Sequence, residues 1–199
     1  MEASSFSTIN FSQFKWLNEP TEWSVEDNKL TMVTNDKSDF WQGTYYDFYF
    51  NSGHVYGIEL KDDFVFKVCV EAEFHTLYDQ AGLMIYLDEK HWVKAGIEFN
   101  DGQPLIASVV TDELSDWATG IFPGDPKKFY IRITKKGTAI CIKYSSDDVN
   151  WTLLRLFSMP LRDKYFIGPL SCTPKREGLR VQFSELSITE PGEDILHSN

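Results

Sequence analysis

The sequence lacks long apolar runs, positive charge and an obvious leader, and each absence argues against a class of protein. No stretch approaches the roughly 18 uninterrupted apolar residues that a transmembrane helix requires. The 19 basic residues against 30 acidic ones give a net charge of −11, which disfavours binding to nucleic acid or to an anionic membrane. The first residues carry no basic region followed by an apolar run, so we expect a cytoplasmic protein.

Cysteines and the common catalytic motifs are also scarce. The three cysteines, Cys69, Cys141 and Cys172, form no CxxC pair and have no histidine at ligand spacing. We therefore expect reduced, mostly buried thiols and no metal site. The sequence contains no HExxH, no GxSxG and no glycine-rich phosphate loop, so it predicts no metal hydrolase, serine hydrolase or nucleotide-binding fold. No cofactor is predicted.

The abundant feature is an alternation of apolar and polar residues, which is typical of β-strands whose two faces meet different surroundings. Many such strands follow one another, and no long amphipathic helix is visible. We therefore predict an all-β fold, an antiparallel two-sheet jelly-roll β-sandwich. It forms one domain over residues 1–199, with its core at about 14–190 and a frayed C-terminal tail. The predicted core residues are Phe64, Phe66, Val68, Val70, Leu83, Ile85, Val93, Ile97, Phe99, Val109, Ile131, Ile133 and Phe183.

Turn signals refine this prediction. Asn100-Asp-Gly102 and Lys135-Lys-Gly137 each lie between two alternating runs, which indicates two β-hairpins. Residues 151–157 have a helical alternative through their leucines. Their aromatic and threonine side chains, and Pro160 soon after, favour a strand.

Alternation also places four charged residues, Glu71, Glu73, Lys94 and Glu98, on strand faces that do not enter the core. We expect them to share one outer surface, where carboxylates among aromatic rings suit sugars, although ordinary solvated strands show the same pattern. A glycoside-active enzyme would use Glu71 or Glu73 together with Glu98. The Glu-x-Asp-x-x-Glu motif of laminarinase-type glucanases is broken at and after Glu73, so no catalytic residue is assigned.

Aromatic residues next to acids or amides recur in the connecting segments. Trp41 follows Asp39 by two positions, and Asp116 directly precedes Trp117. Asp79 and Gln80 directly follow Tyr78. Such pairs can hold a polyhydroxylated ligand by its edge and by its face. In the alternative interpretation, the tryptophans cover sheet edges and the acids cap turns.

Several short phrases, taken in their order and spacing, resemble the DUF1349 family over about residues 14–190. These phrases are Ser38-Asp-Phe-Trp41, Asp79-Gln-Ala-Gly-Leu-Met84, His91-Trp-Val-Lys-Ala-Gly-Ile-Glu98, Ser108-Val-Val-Thr111, Ser115-Asp-Trp117, Gly168-Pro-Leu-Ser-Cys-Thr-Pro174 and Val181-Gln-Phe-Ser184.

The resemblance implies a fold similar to that of concanavalin A-like lectins and glucanases, and a regulatory role connected with the glycolytic enzyme enolase. It implies no established catalytic residues. The positions that match its motifs, together with the polar strand faces, give a hypothetical ligand-binding set of Trp41, Asp79, Gln80, Lys94, Glu98, Asp116 and Trp117.

We therefore expect a noncatalytic protein that recognises a carbohydrate or a sugar-derived ligand in one exposed groove. We also expect Lys94 to lie beside Glu98 and to keep its carboxylate ionised. Two alternatives remain: a glycoside-active enzyme, and a regulatory module whose partner is another protein, since exposed tryptophan and tyrosine anchor protein interfaces equally well.

Overall fold

The structure, a computed structural model, describes residues 9–197, which form strands and almost no helix. One 3-10 turn, Phe11–Gln13, precedes the first strand. The strands are β1 (Lys15–Leu17), β2 (Glu22–Glu26), β3 (Lys29–Val33), β4 (Phe40–Gln42), β5 (Tyr49–Asn51), β6 (His54–Leu60), β7 (Phe64–Ala72), β8 (Gln80–Asp88), β9 (His91–Asn100), β10 (Gln103–Asp112), β11 (Leu114–Gly120), β12 (Lys128–Lys136), β13 (Ala139–Ser145), β14 (Thr152–Ser158), β15 (Tyr165–Cys172) and β16 (Arg180–Thr189).

Two seven-stranded antiparallel sheets pack face to face. The first, here called the front sheet, has the order β1-β6-β15-β8-β9-β10-β11, and the second, the back sheet, has the order β14-β13-β12-β7-β16-β3-β2. Strands β4 and β5 form a separate two-stranded hairpin. The predicted all-β antiparallel sandwich is confirmed. Within the described residues, no helix is long and apolar enough to cross a membrane.

The main core lies between the sheets and follows the period-two alternation. In β7, for example, Phe64, Phe66, Val68 and Val70 are buried and enter this core. Eleven of the thirteen predicted core residues are buried there, whereas Phe99 is half-buried at its margin. Val109 is the exception, because it lies opposite Lys94 in the register of β9 and β10 and faces away from the back sheet.

The prediction that Glu71 and Glu73 share a surface with Lys94 and Glu98 is wrong. Strand β7 belongs to the back sheet, while β9, which carries Lys94 and Glu98, lies in the front sheet. The outer faces of the two sheets point in opposite directions. Glu71 instead pairs with Lys128 at 3.7 Å on the back surface, so it cannot form a catalytic pair with Glu98.

Glu73 lies just beyond β7 and is likewise solvent-exposed, with a 3.1 Å ion pair to Lys127. It therefore also lies outside the surface that carries Glu98.

Both hairpin predictions are confirmed, since Asp101 and Gly102 link the paired strands β9 and β10, and Gly137 and Thr138 link the paired strands β12 and β13. The strand predicted at residues 151–157 is β14. The three cysteines are buried free thiols, as predicted.

The C-terminal tail, which was predicted to be frayed, makes hydrogen bonds to the back sheet. Lys136 of β12 donates to the carbonyl oxygens of Gly192 and Glu193, at 2.9 and 2.8 Å. The ammonium of Lys143 in β13 donates to the carbonyl oxygen of Leu196 at 2.7 Å. These hydrogen bonds hold the tail against the back sheet. Side-chain patterns in the sequence do not predict them, because the acceptors are backbone carbonyl oxygens.

Candidate functional site

The outer face of the front sheet carries a second apolar cluster. Residues 38–51, which include β4 and β5 and are here called the covering segment, lie over this cluster. Phe40 inserts into this cluster against Trp92, with ring centroids 5.9 Å apart. The covering segment is anchored by hydrogen bonds to the sheet. The backbone amide of Gln42 donates to the Ser115 hydroxyl at 2.9 Å, and the Thr173 amide donates to the Ser38 hydroxyl at 3.1 Å. The phrase Ser38-Asp-Phe-Trp41 therefore attaches a loop to a sheet.

A cavity of about 430 Å³ lies between this covering segment and the sheet. Its size falls within the range of small-molecule sites. Six of its fifteen lining residues are aromatic. Three other lining residues, Asp39, Lys94 and Glu98, have charged side chains in the interior. The lining residues are Lys37, Asp39, Trp41, Tyr46, Phe48, Phe50, Leu77, Tyr78, Gln80, Lys94, Glu98, Val109, Trp117, Pro174 and Lys175.

Lys94 is buried in the floor of the cavity and is paired with the covering segment. Its ammonium forms a 3.1 Å ion pair with Asp39 and donates to the carbonyl oxygen of Phe40 at 2.8 Å. Burial is the largest single influence and acts to lower the pKa of Lys94. The acidic groups of Asp39, Cys172 and Glu98, together with the hydrogen bond to Asp39, outweigh it, so the pKa lies above its ordinary value. Lys94 therefore stays charged and holds the cover in place.

Glu98 lies four residues further along β9, on the same face and buried. Its direct cross-strand neighbours are Gln80 and Leu105. Within residues 9–197, its carboxylate has no hydrogen-bond partner and no ion pair. Desolvation raises the pKa of Glu98 to about 7, which the positive charge of Lys94 opposes and the negative charge of Asp39 reinforces.

The expectation that Lys94 keeps Glu98 ionised is therefore corrected. Residues four apart along a strand have α carbons about 13 Å apart, unlike the close i, i+4 neighbours of a helix. Lys94 finds a nearer carboxylate in Asp39, which the covering segment brings over the sheet. Burial then dominates at Glu98, and its carboxyl group is partly protonated near neutral pH.

Aromatic rings form much of the cavity lining around these charges. Tyr46 stacks on Phe48 with centroids 5.5 Å apart and packs edge-on to Trp41 at 6.5 Å. On the other side, Tyr78 and Trp117 meet edge to face at 6.4 Å. A hydrogen bond with Tyr46, together with burial, raises the pKa of Tyr78 to about 12, so its hydroxyl stays neutral.

The two tryptophans differ in their hydrogen bonding. The indole nitrogen of Trp41 donates to the carbonyl oxygen of Thr44 at 3.1 Å, which supports the loop before β5. The indole nitrogen of Trp117 is buried, and in the described part of the chain it has no acceptor. Trp117 lies opposite Val109, in the same cross-strand row as Lys94.

Asp79 is placed differently from what was expected of a ligand-binding residue. Its side chain is fully buried and forms two hydrogen bonds with the guanidinium of Arg176, at 2.8 and 2.6 Å. It also accepts from the backbone amides of His75 and Thr76. With its oxygens occupied in this way, Asp79 fixes the crossing from β7 to β8 and does not line the cavity.

Asp116 also lies outside the cavity. Strand residues alternate in direction, so Asp116 points away from the face that carries its neighbour Trp117. Its carboxylate pairs with Arg155 of β14 at 2.7 Å, which joins the edge strands of the two sheets. Its role in the structure is to close one side of the sandwich.

Five of the seven predicted ligand-binding residues thus line one cavity: Trp41, Gln80, Lys94, Glu98 and Trp117. Sequence reasoning missed the contributions of Phe48, Phe50, Leu77, Pro174 and Lys175. The run Thr44-Tyr-Tyr-Asp-Phe-Tyr-Phe50, with five aromatic residues in seven, is the signal that would have found the first two.

Glycines shape the floor beside these residues. Gly82 and Gly96 are direct partners in β8 and β9, and they lie between the rows that carry Lys94 and Glu98. A Cβ added at Gly96 would lie 1.9 Å from the carbonyl oxygen of Ala81, so only glycine permits this close backbone approach. Within residues 9–197, no three metal-ligating side chains are grouped.

Comparison with known proteins identifies the family. The family described as "Protein of unknown function (DUF1349)" matches residues 16–191. The chain belongs to this family. A Saccharomyces cerevisiae relative, "Regulation of enolase protein 1", is 44% identical over 186 residues, which cover 94% of each chain.

Solved structures agree on the architecture. A Saccharomyces cerevisiae structure, described as a functionally unknown protein, is 43% identical with a TM-score of 0.90, covering 92% of this chain and 100% of that one. The GH43 protein BlXynB of Bacillus licheniformis is 13% identical with a TM-score of 0.70, covering 92% of this chain and 38% of that one. At that identity, the second likeness shows the fold alone.

Proposed function

We propose that this DUF1349 protein is a noncatalytic binding protein for a carbohydrate or sugar-derived ligand and acts in the cytoplasm in the regulation of carbohydrate metabolism. The observation that carries the proposal is the cavity on the front sheet, where aromatic rings face the buried, unpartnered carboxyl group of Glu98. Aromatic rings pack on the apolar faces of pyranoses, and a carboxyl group binds sugar hydroxyls. The regulatory part rests on the name of the yeast relative.

The arrangement of acids supports binding over hydrolysis. Glycoside hydrolysis uses two carboxyl groups on either side of the scissile bond. Among the cavity-lining residues, Asp39 is the only carboxylate besides Glu98, and it is held by Lys94 and by the backbone amide of Phe40. The raised pKa of Glu98 suits a general acid and keeps the enzyme alternative testable.

Tryptophan substitutions and a glycan panel test the proposal. We expect the wild-type protein to bind at least one glycan, and Trp41→Ala to weaken that binding about tenfold because a stacking surface is lost. Trp151→Ala is the matched control, since Trp151 packs against Arg132 on the back sheet, away from the cavity. Circular dichroism verifies that each variant is folded. Binding to no glycan, or equal loss in both variants, would contradict the proposal.

The same glycans distinguish the enzyme alternative. We expect no release of reducing sugars by the wild-type protein. Turnover that Glu98→Gln abolishes would replace the binding proposal with a hydrolase. Glu71→Gln is the control in this assay, because Glu71 lies on the opposite surface.

A protein-binding function has one specific observation in its favour. The β4–β5 hairpin exposes a patch of aromatic side chains at the mouth of the cavity, namely Tyr45, Tyr46, Phe48, Tyr49 and Phe50. Tyrosine and phenylalanine are common anchors of protein interfaces. Tyr45→Ser with Tyr49→Ser, neither of which lines the cavity, would abolish capture of a partner from extract while glycan binding persists.

A further inference from the structure

Charges in the interior of the cavity are unequally paired. Lys94 and Asp39 neutralise each other at 3.1 Å, and both are shielded by the covering segment. Glu98 is 6% exposed, and in the part of the chain that the structure describes its carboxyl group forms neither a hydrogen bond nor an ion pair. When Glu98 is ionised, the interior therefore carries one uncompensated negative charge.

The other titratable groups near Glu98 do not supply the missing positive charge. Tyr78 and Cys172 stay neutral at physiological pH, because burial contributes to raising the pKa of each. Lys37 and Lys175 are exposed at the mouth of the cavity, and neither forms an ion pair with Glu98. A buried carboxylate without a partner costs several kcal/mol, so a cationic ligand group would gain most at this position.

We propose that the cavity binds an amino sugar, whose ammonium group pairs with Glu98 while its ring packs against the aromatic rings of the lining. This inference rests on the proposed carbohydrate-binding function and narrows it to one class of sugar. The rings of Trp41, Trp117 and Tyr78 favour a cation as well as a pyranose face, because their π electrons attract positive charge. A neutral sugar would leave the Glu98 charge without a counterion.

The Gln80 amide adds a second polar requirement. The Trp117 indole nitrogen does not, because it is buried beneath the cavity surface, where it has no acceptor in the described residues. The Gln80 amide already donates to the carbonyl oxygen of Tyr78 at 3.3 Å and leaves its own oxygen as an acceptor. An amino sugar offers a cation for Glu98 and a hydroxyl group for the Gln80 oxygen.

Three sugars that differ at one position test the inference: glucosamine, glucose and N-acetylglucosamine. Binding is measured by calorimetry and by ligand-observed NMR. We expect glucosamine to bind the wild-type protein about tenfold more tightly than glucose, which is the effect of one charge-assisted hydrogen bond. N-acetylglucosamine has the same ring without the charge, and we expect it to bind no better than glucose.

Glu98→Gln keeps the shape of the side chain and removes its charge. We expect it to remove the preference, so that glucosamine and glucose bind this variant with affinities within about twofold of each other. Glu71→Gln is the matched control, because it removes one negative charge on the back surface and should keep the preference.

Each outcome decides between the two proposals. Equal binding of the three sugars, or a preference that survives Glu98→Gln, overturns the amino-sugar inference and leaves the carbohydrate-binding proposal standing. If neutral glycans and glucosamine all fail to bind, both proposals are wrong. If Glu98→Gln does not fold, the wild-type comparison of the three sugars decides alone.

Discussion

Glu98→Gln should make the protein more stable at alkaline pH. Burial raises the pKa of this carboxyl group from 4.5 to about 7, so the folded state binds its proton more tightly than the unfolded state does. Between these two pKa values the unfolded state loses its proton first, and the free energy of unfolding falls as the pH rises. The difference corresponds to about 3 kcal/mol of lost stability once Glu98 is ionised in both states.

Glutamine has almost the same shape and no charge, so it avoids this penalty. At pH 8 we expect Glu98→Gln to be more stable than the wild-type protein by up to about 3 kcal/mol. At pH 4 Glu98 is largely protonated in both states, and we expect a difference of less than about 1 kcal/mol. Titrating groups that do not interact with Glu98 are common to both proteins and cancel in the difference.

Urea unfolding at pH 4, 6 and 8, followed by circular dichroism, measures this effect. Glu71→Gln serves as the control, since Glu71 forms only a surface ion pair at 3.7 Å and should show little dependence on pH. A stability difference for Glu98→Gln that is the same at pH 4 and pH 8 would refute the reasoning. So would a loss of stability at pH 8, which would mean that the charged carboxylate has a partner that stabilises it.

Two further substitutions test structural roles by the same urea assay. Asp79→Ala should cost about 3 kcal/mol, because it leaves a partly buried guanidinium and two backbone amides without their acceptor. Asp116→Ala removes a largely exposed carboxylate and should cost at most about 1 kcal/mol. Similar losses in both variants would contradict this distinction. Gly96→Ala should cost about 3 kcal/mol or more, since its Cβ would meet the Ala81 carbonyl oxygen, while Gly120→Ala makes only a 3.7 Å contact and should change stability by less than about 0.5 kcal/mol. A well-folded, stable Gly96→Ala would show that the two strands are not held so close.

The strands were predictable because their pattern has a short period that local side chains alone determine. In β7, alternate residues from Phe64 to Val70 enter the core, as the sequence indicates. The assignment of strands to sheets is not local. The chain crosses from the back sheet to the front sheet between β7 and β8, and nothing in the alternation of either strand records that crossing. For this reason Glu71 was assigned to the wrong surface.

The partners of the site residues are also set by contacts distant in sequence. Lys94 pairs with Asp39, which is 55 positions away and reaches it only because residues near β4 fold over the front sheet. Asp79 pairs with Arg176, 97 positions away. Sequence patterns identified Asp39 and Asp79 as acids next to aromatic residues. They could not show that Asp39 lines the cavity, whereas Asp79 is buried against the guanidinium of Arg176.

Three side-chain atoms in the described residues are buried without a hydrogen-bond partner, and one of them, the Trp117 indole nitrogen, belongs to a side chain that lines the same cavity as the unpartnered Glu98. A protein core that served stability alone would gain by replacing such groups with apolar ones of similar shape. Here the surrounding groups are satisfied: Lys94 has Asp39, and the Trp41 indole has a backbone acceptor. Trp117 and the unpartnered Glu98 thus both belong to the lining of one cavity, which they share with five other aromatic side chains. That arrangement is what a site requires if the hydrogen bonds of Glu98 are completed by a ligand.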